Sequence, residues 1–144
     1  MDVATSRFGT LHASPGDVLQ FEQGLIGLRH CRRWIVLADA QNPALGWLQC
    51  LDDVEAALGV VSPRRFVPDY QLRLPRHELT SLGLSRSRDA QVLVVVSRHA
   101  EGLCLNLRAP LLINVEGRRG RQVVAQENLP VRLPMAGEAL KMTA

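Results

Sequence analysis

The stretch Cys104-Leu-Asn-Leu-Arg-Ala-Pro-Leu-Leu-Ile-Asn-Val115 decides the fold class. It is an apolar, strand-like run broken by polar residues that burial alone does not require. Asn106 and Asn114 stand inside β-rich segments, where Asn is normally depleted. Pro110 lacks a backbone donor, so it marks an edge, a bulge or a break between two strands. Amides in such places close turns or bond neighbouring backbone. They do not form a catalytic set. The stretch therefore predicts a β-rich scaffold that binds, not an enzyme.

The remaining sequence agrees. With 144 residues and 47% hydrophobic composition, the chain suits one domain with its own core. Aromatics are scarce, so the core is expected to be mainly Leu and Val. No apolar run reaches membrane-spanning length. Met1 to Arg7 lacks the apolar region of a secretory signal, which predicts a cytoplasmic protein. Cys31, Cys50 and Cys104 are odd in number and include no C-x-x-C pair. That argues against a disulfide framework or a thiolate zinc site and for buried free thiols. The net charge of +3 comes almost wholly from arginine, Lys141 being the only lysine.

Short strands punctuated by turns run along the chain. Ser14-Pro15-Gly16-Asp17 reads as a turn between two strands, the second at Val18–Phe21. Gln23-Gly24-Leu-Ile-Gly27 reads as a bend where backbone approaches another segment closely. Strands are expected at Trp34–Ala38, Leu45–Leu51, Leu58–Val61 and Gln91–Ser97, the last buried on both faces. Further strands follow at Leu103–Leu107, Leu111–Val115 and Gln122–Ala125, with a hairpin at Glu116–Gly120. Asp52-Asp53 is expected to cap a short helical turn over Val54–Ala57. Pro75–Leu82 is the best helix, ended by Gly83. The sum is a mainly β chain: a small antiparallel β-barrel or sandwich with one or two short helices. Residues 1–134 form a single domain, and 135–144 are expected to be a flexible tail or a short docking helix.

Read together, these segments resemble the FliW family of flagellar assembly factors. Leu19-Gln-Phe-Glu-Gln-Gly-Leu-Ile-Gly-Leu28 is similar to its F-x-x-G-hydrophobic-x-G-F signature, with Leu28 where many members have Phe. Leu48-Gln49 with Asp52-Asp53, then Ser62-Pro63 with Pro68-Asp69-Tyr70, follow in the same order. Asn106 to Asn114 is similar to N-L-x-A-P-hydrophobic-x-hydrophobic-N. Gly120-Arg-Gln122 and Pro130-Val-Arg132 complete the set. The resemblance implies a non-catalytic β-barrel, here a monomer, with no cofactor and no membrane association. It implies two protein partners, flagellin before export and the translational repressor CsrA. The two would compete for the factor, so that flagellin secretion relieves repression. The family is typically acidic and this chain is basic, so attraction to a basic partner has to be local.

Phe21, Gly24, Gly27, Gln49, Asn114 and Gln122 are read as motif residues that serve the fold. Asn106 to Pro110 is either structural or a rim whose irregular backbone offers donors and acceptors to a partner. Asp69 and Tyr70 lie in a proline-bounded loop, where Tyr70, with Phe66, is an interface anchor or a lid over the barrel end. Asp52, Asp53 and Glu55 form the one compact acidic cluster, either a solvated helix start or a contact for a basic partner. Two rivals remain at this level. Arginine pairs at Arg32-Arg33, Arg64-Arg65 and Arg118-Arg119 could make an RNA-binding module, although direct nucleic-acid contact is not expected. Cys104 and His99 could make a nucleophile and base, although no orienting third group is evident. No His stands at metal-ligand spacing with another His, Cys or carboxylate in the sequence, so no metal site is expected.

Overall fold

The computed structural model describes residues 1–100 and 102–135. The longest strand, β7 (Gln91–His99), organises it. Counting from the N-terminus, the others are β1 (Asp2–Thr5), β2 (Gly9–His12), β3 (Leu19–Gln20), β4 (Arg33–Ala38), β5 (Gly46–Cys50) and β6 (Ala57–Val61). After β7 come β8 (Gly102–Leu105), β9 (Leu111–Asn114), β10 (Arg119–Gln122) and β11 (Leu133–Pro134). One helix, α1 (Arg76–Ser81), follows an extended Pro75, and Gly83 ends it at φ +73°.

Strands β4, β5, β6 and β7 form an antiparallel meander. Along one edge β7 changes partner: Gln91–Leu93 pair with β9, whereas Val96–His99 pair with β8. The β9–β10 hairpin then brings β10 against β3, and β3 pairs with β4. Seven strands thus close a barrel, with β8 and β11 as an extension beside the far half of β7. Small and mainly antiparallel is the architecture expected from the sequence. The one parallel contact is β3 with β10, at Gln20 and Arg119.

Several local expectations shift. The hairpin after β9 turns at 115–118, so β10 begins at Arg119, three residues before the expected strand. The left-handed residue is Arg118, at φ 56°, and not a glycine. No helical turn forms over Val54–Ala57. The Asp52 carboxylate accepts bonds from Arg32 and Arg33 at the start of the adjacent β4 instead of capping the residues after it. The segment is a hairpin turn, with the Cys50 N–H donating to the Ala56 carbonyl. A separate β1–β2 hairpin, unmarked in the sequence reading, lies outside the barrel over Ile35 and Leu51. At the C-terminal end Met135 belongs to the fold, since its N–H donates to Leu103 O and its side chain packs on the core. The rest of the expected tail, 136–144, lies outside the described residues.

The core is mainly Leu and Val, as expected, and most of the few aromatics are buried within it. Phe21, Trp34 and Trp47 are its largest buried side chains. One cluster joins Phe21, Trp34, Leu48, Val60, Leu111 and Ile113. A second joins Trp47, Tyr70, Val94, Val96, Leu105 and Leu107 across the other face of β5–β7. Indole N–H groups need partners when buried. Trp34 donates to Cys31 O at 2.8 Å and Trp47 to the Asp39 carboxylate at 3.0 Å. Arg7 stacks on Trp47 at 4.1 Å and Phe8 meets it edge-on, which ties the β1–β2 turn to the barrel.

Ring closure leaves no room between β3 and β10. The Phe21 ring lies directly on Gly120, where a Cβ would fall inside the ring. Gly120→Ala is therefore an overpacking change, expected to cost about 1–3 kcal/mol in chemical denaturation. Gly16→Ala, with nothing within 4 Å of its Cβ and an ordinary φ, is the near-neutral control.

Candidate functional site

Asn106 and Asn114 close turns. Asn106 Oδ1 accepts the N–H groups of Arg108 and Ala109, at 3.1 and 3.2 Å. Asn114 Nδ2 donates to Leu82 O and its Oδ1 accepts the Gly117 N–H, pinning α1 and the β9–β10 turn together. Pro110 is buried, and its carbonyl accepts the Val123 N–H. Arg108 O and the Leu107 N–H are likewise taken, by Ala125 and Pro130. The Asn106–Pro110 rim therefore spends these backbone groups on residues 123–130, not on open space. Gln122 bridges two segments, donating to Ala109 O and accepting the Ile26 N–H at 2.7 Å. Gly24 has φ +64°, and a Cβ there would sit 2.5 Å from Arg29 O, the close approach expected of this bend. Gly27 is also left-handed, at φ +83°. Gln49 is fully buried and donates to Cys50 O and Val54 O.

The loop after β6 packs inward. Tyr70 is only 4% exposed, and its hydroxyl donates to Leu107 O. Burial, then the charge of Glu127, pushes its phenol up to about 12. Phe66 packs partly against the same cluster, while Asp69 is exposed. The ring is thus placed as a lid, with the phenol turned into the core. Tyr70→Ala should cost about 3–5 kcal/mol, as other large aromatic deletions do. Tyr70→Phe, which loses only a long hydrogen bond, should cost about 1 kcal/mol or less in the same unfolding experiment.

The acidic residues face the segment before β4. Asp52 Oδ1 meets the Arg33 guanidinium at 2.9 Å, and its Oδ2 accepts the Arg32 and Arg33 N–H groups. Burial raises its pKa, but these bonds outweigh burial and hold the carboxyl below the usual range. Asp53 meets His30 at 3.1 Å, and that bond lowers its pKa. Glu55 is exposed. Beneath this corner Cys31 and Cys50 are fully buried. Burial, then the Cys50 thiol and the two aspartates, pushes Cys31 up to about 12, so it is no nucleophile. At the other suggested pair, His99 Nε2 hydrogen-bonds with Ser97 Oγ at 2.7 Å, and Cys104 is buried. Many arginines are committed within the fold: Arg33 to Asp52, Arg121 to Glu78, Arg64 to Tyr70 O, and Arg108 to Leu129 O.

A groove of about 330 Å³ was not anticipated. Its floor includes Leu19, Leu93 and Ile113, and its wall is β4 from Ile35 to Leu37. It exists because β3 stops short. β3 covers β4 only at Arg33 and Trp34. Past Trp34, that edge of β4 has no neighbouring strand among the described residues. Val36 at 50% and Val115 at 53% are among the most exposed large apolar side chains. The sequence held a signal in the Trp34–Ala38 run, which is apolar throughout although half of it is open.

Against known proteins, the chain matches the model of the FliW protein family over residues 2–135. It belongs to the FliW family. Flagellar assembly factor FliW 2 of Desulfotalea psychrophila is 36% identical over 86% of this chain and 83% of its own length. The flagellar assembly factor FliW of Bdellovibrio bacteriovorus is 33% identical over 94% and 79%. A crystal structure of the flagellar assembly factor FliW superposes with a TM-score of 0.86 at 23% identity, covering 97% of this chain and all of that one, which establishes the same fold. Among the described residues no helix is long and apolar enough to cross a membrane.

Proposed function

We propose that this FliW-family chain binds flagellin in the cytoplasm before export and antagonises the repressor CsrA. The observation that carries the reading is the FliW family match over the entire barrel, residues 2–135, among relatives named flagellar assembly factors. The role is that of a titrated binder without turnover. Flagellin occupancy lowers the free factor, and with it the fraction available to the repressor, by mass action.

The geometry suggests where each partner would sit. A barrel satisfies its backbone internally, except where an edge is left open. The open edge of β4 above an apolar floor suits an extended segment of flagellin, added as a strand with alternate side chains in the groove. The Asp53–Glu55 corner is the local negative charge that a basic repressor needs in an otherwise positive chain.

A pull-down with purified flagellin and purified CsrA, separately and mixed, tests the reading. Each is expected to be retained alone, and flagellin to reduce CsrA retention in the mixture. Recovery of neither would defeat the proposal. Val36→Glu, at a half-exposed position, should abolish flagellin retention with little change in melting temperature. Glu55→Arg should weaken CsrA retention and reduce its sensitivity to salt.

A further inference from the structure

His30 and Cys31 play no part in the partner contacts proposed above, and Asp53 has a second setting beside them. His30 and Cys31 lie in the bend before β4, and Asp53 lies in the β5–β6 turn. One ligand atom from each falls within 4.8 Å of the others. The His30 ring nitrogen is 3.1 Å from the Asp53 carboxylate. Directly beneath, Cys31 and Cys50 are buried in one core cluster. Cys50 Sγ in turn accepts the Asp52 N–H at 3.3 Å. Among the described residues no other three His, Cys, Asp or Glu side chains converge in this way.

We propose that this corner is a binding site for a thiophilic divalent cation, zinc above all, with His30, Cys31 and Asp53 as ligands and solvent at the fourth position. The donor set is one nitrogen, one sulfur and one oxygen. Thiolates select zinc over magnesium or calcium, and zinc accepts all three donor types in tetrahedral geometry. Bonds of about 2.0–2.3 Å place ligand atoms roughly 3.5 Å apart, so the present spacing needs only a small contraction. His30 supplies it, because its side chain is 62% exposed and free to turn. The same exposure gives the ion a route in from solvent. On coordination the Cys31 thiol releases its proton to solvent and the cation takes its place.

The outer bonds suit such a site. A fixed neighbouring carboxylate is the kind of support that holds metal ligands in place. Here the Asp52 carboxylate clamps the Arg32–Arg33 backbone next to Cys31. The plainer account is an exposed His–Asp pair above an unrelated core thiol. It gives no reason for the Cys31 thiol to converge on that pair. Asp53 belongs both to this ligand set and to the acidic corner, and cobalt binding reads the first without the second. A bound ion would tie the segment before β4 to the β5–β6 hairpin.

The test is titration of the reduced, metal-free full chain with cobalt(II), followed by zinc. The expected result is a thiolate-to-cobalt charge-transfer band together with intense visible bands of tetrahedral cobalt. These should saturate at one ion per chain and be erased by zinc. His30→Ala, at an exposed position that leaves the core intact, should weaken cobalt binding by roughly 100-fold, as should Cys31→Ser if circular dichroism shows it folded. Cys104→Ser, whose thiol is outside the cluster, should bind as the unaltered chain does. Absence of the charge-transfer band, or equal affinity in His30→Ala, would overturn the proposal.

Discussion

Everything in this barrel depends on a strand of two residues. β3 contributes only Leu19 and Gln20, yet it joins the β4–β7 meander to the β9–β10 hairpin. The closing bond is the Gln20 N–H donated to Arg118 O at 2.9 Å, and the Phe21 ring on Gly120 seals the seam. Without that seam β4 and β10 would both be open edges, with the Phe21–Trp34 cluster exposed between them. Burial of large aromatics, not length of ladder, holds the ring shut.

The same economy makes the functional surface. A longer β3 would have covered β4 to its end and left no groove. By beginning only at Leu19 it leaves Val36 above Leu93 and Ile113, and a strand edge ready for a partner. The closed seam also fixes the segment that follows it. Phe21 donates to Arg32 O, and Asp52 holds Arg32 and Arg33, so the bend between them is set against the β5–β6 turn. The acidic corner and the His30–Cys31 pair are therefore products of closure.

What the sequence disclosed was local. Asn106 and Asn114 were legible as turn amides because their Oδ1 atoms accept from residues only two or three along the chain, Arg108, Ala109 and Gly117, whereas the Asn114 bond to Leu82 O was not legible. Gly83 ended the helix as its lack of a Cβ allows. The barrel class followed from strand spacing. Contacts set by ring closure were not legible: the Gln122 bond to Ile26 spans 96 residues, and the meeting of His30 with Asp53 spans 23. The Asp52 misreading has the same origin, since a carboxylate expected to cap its own turn accepts the Arg32 and Arg33 N–H groups at the start of the neighbouring strand. Tyr70 was ambiguous because a loop position says nothing of which way a ring packs. Its pairing with Leu107 O, 37 residues on, is again a tertiary contact.

Amide hydrogen exchange at single-residue resolution tests the central claim most directly. Along β4, odd-numbered residues bond β5, as the Arg33–Leu51 and Asp39–Leu45 bonds show, so the Val36 N–H points to the open edge. The account predicts that the Gln20 amide exchanges as slowly as the β5 and β7 amides, only through global unfolding. Val36 should exchange fast between slow neighbours at Ile35 and Leu37. Rapid exchange at Gln20, or strong protection at Val36, would contradict a barrel closed by two residues and left open beside them.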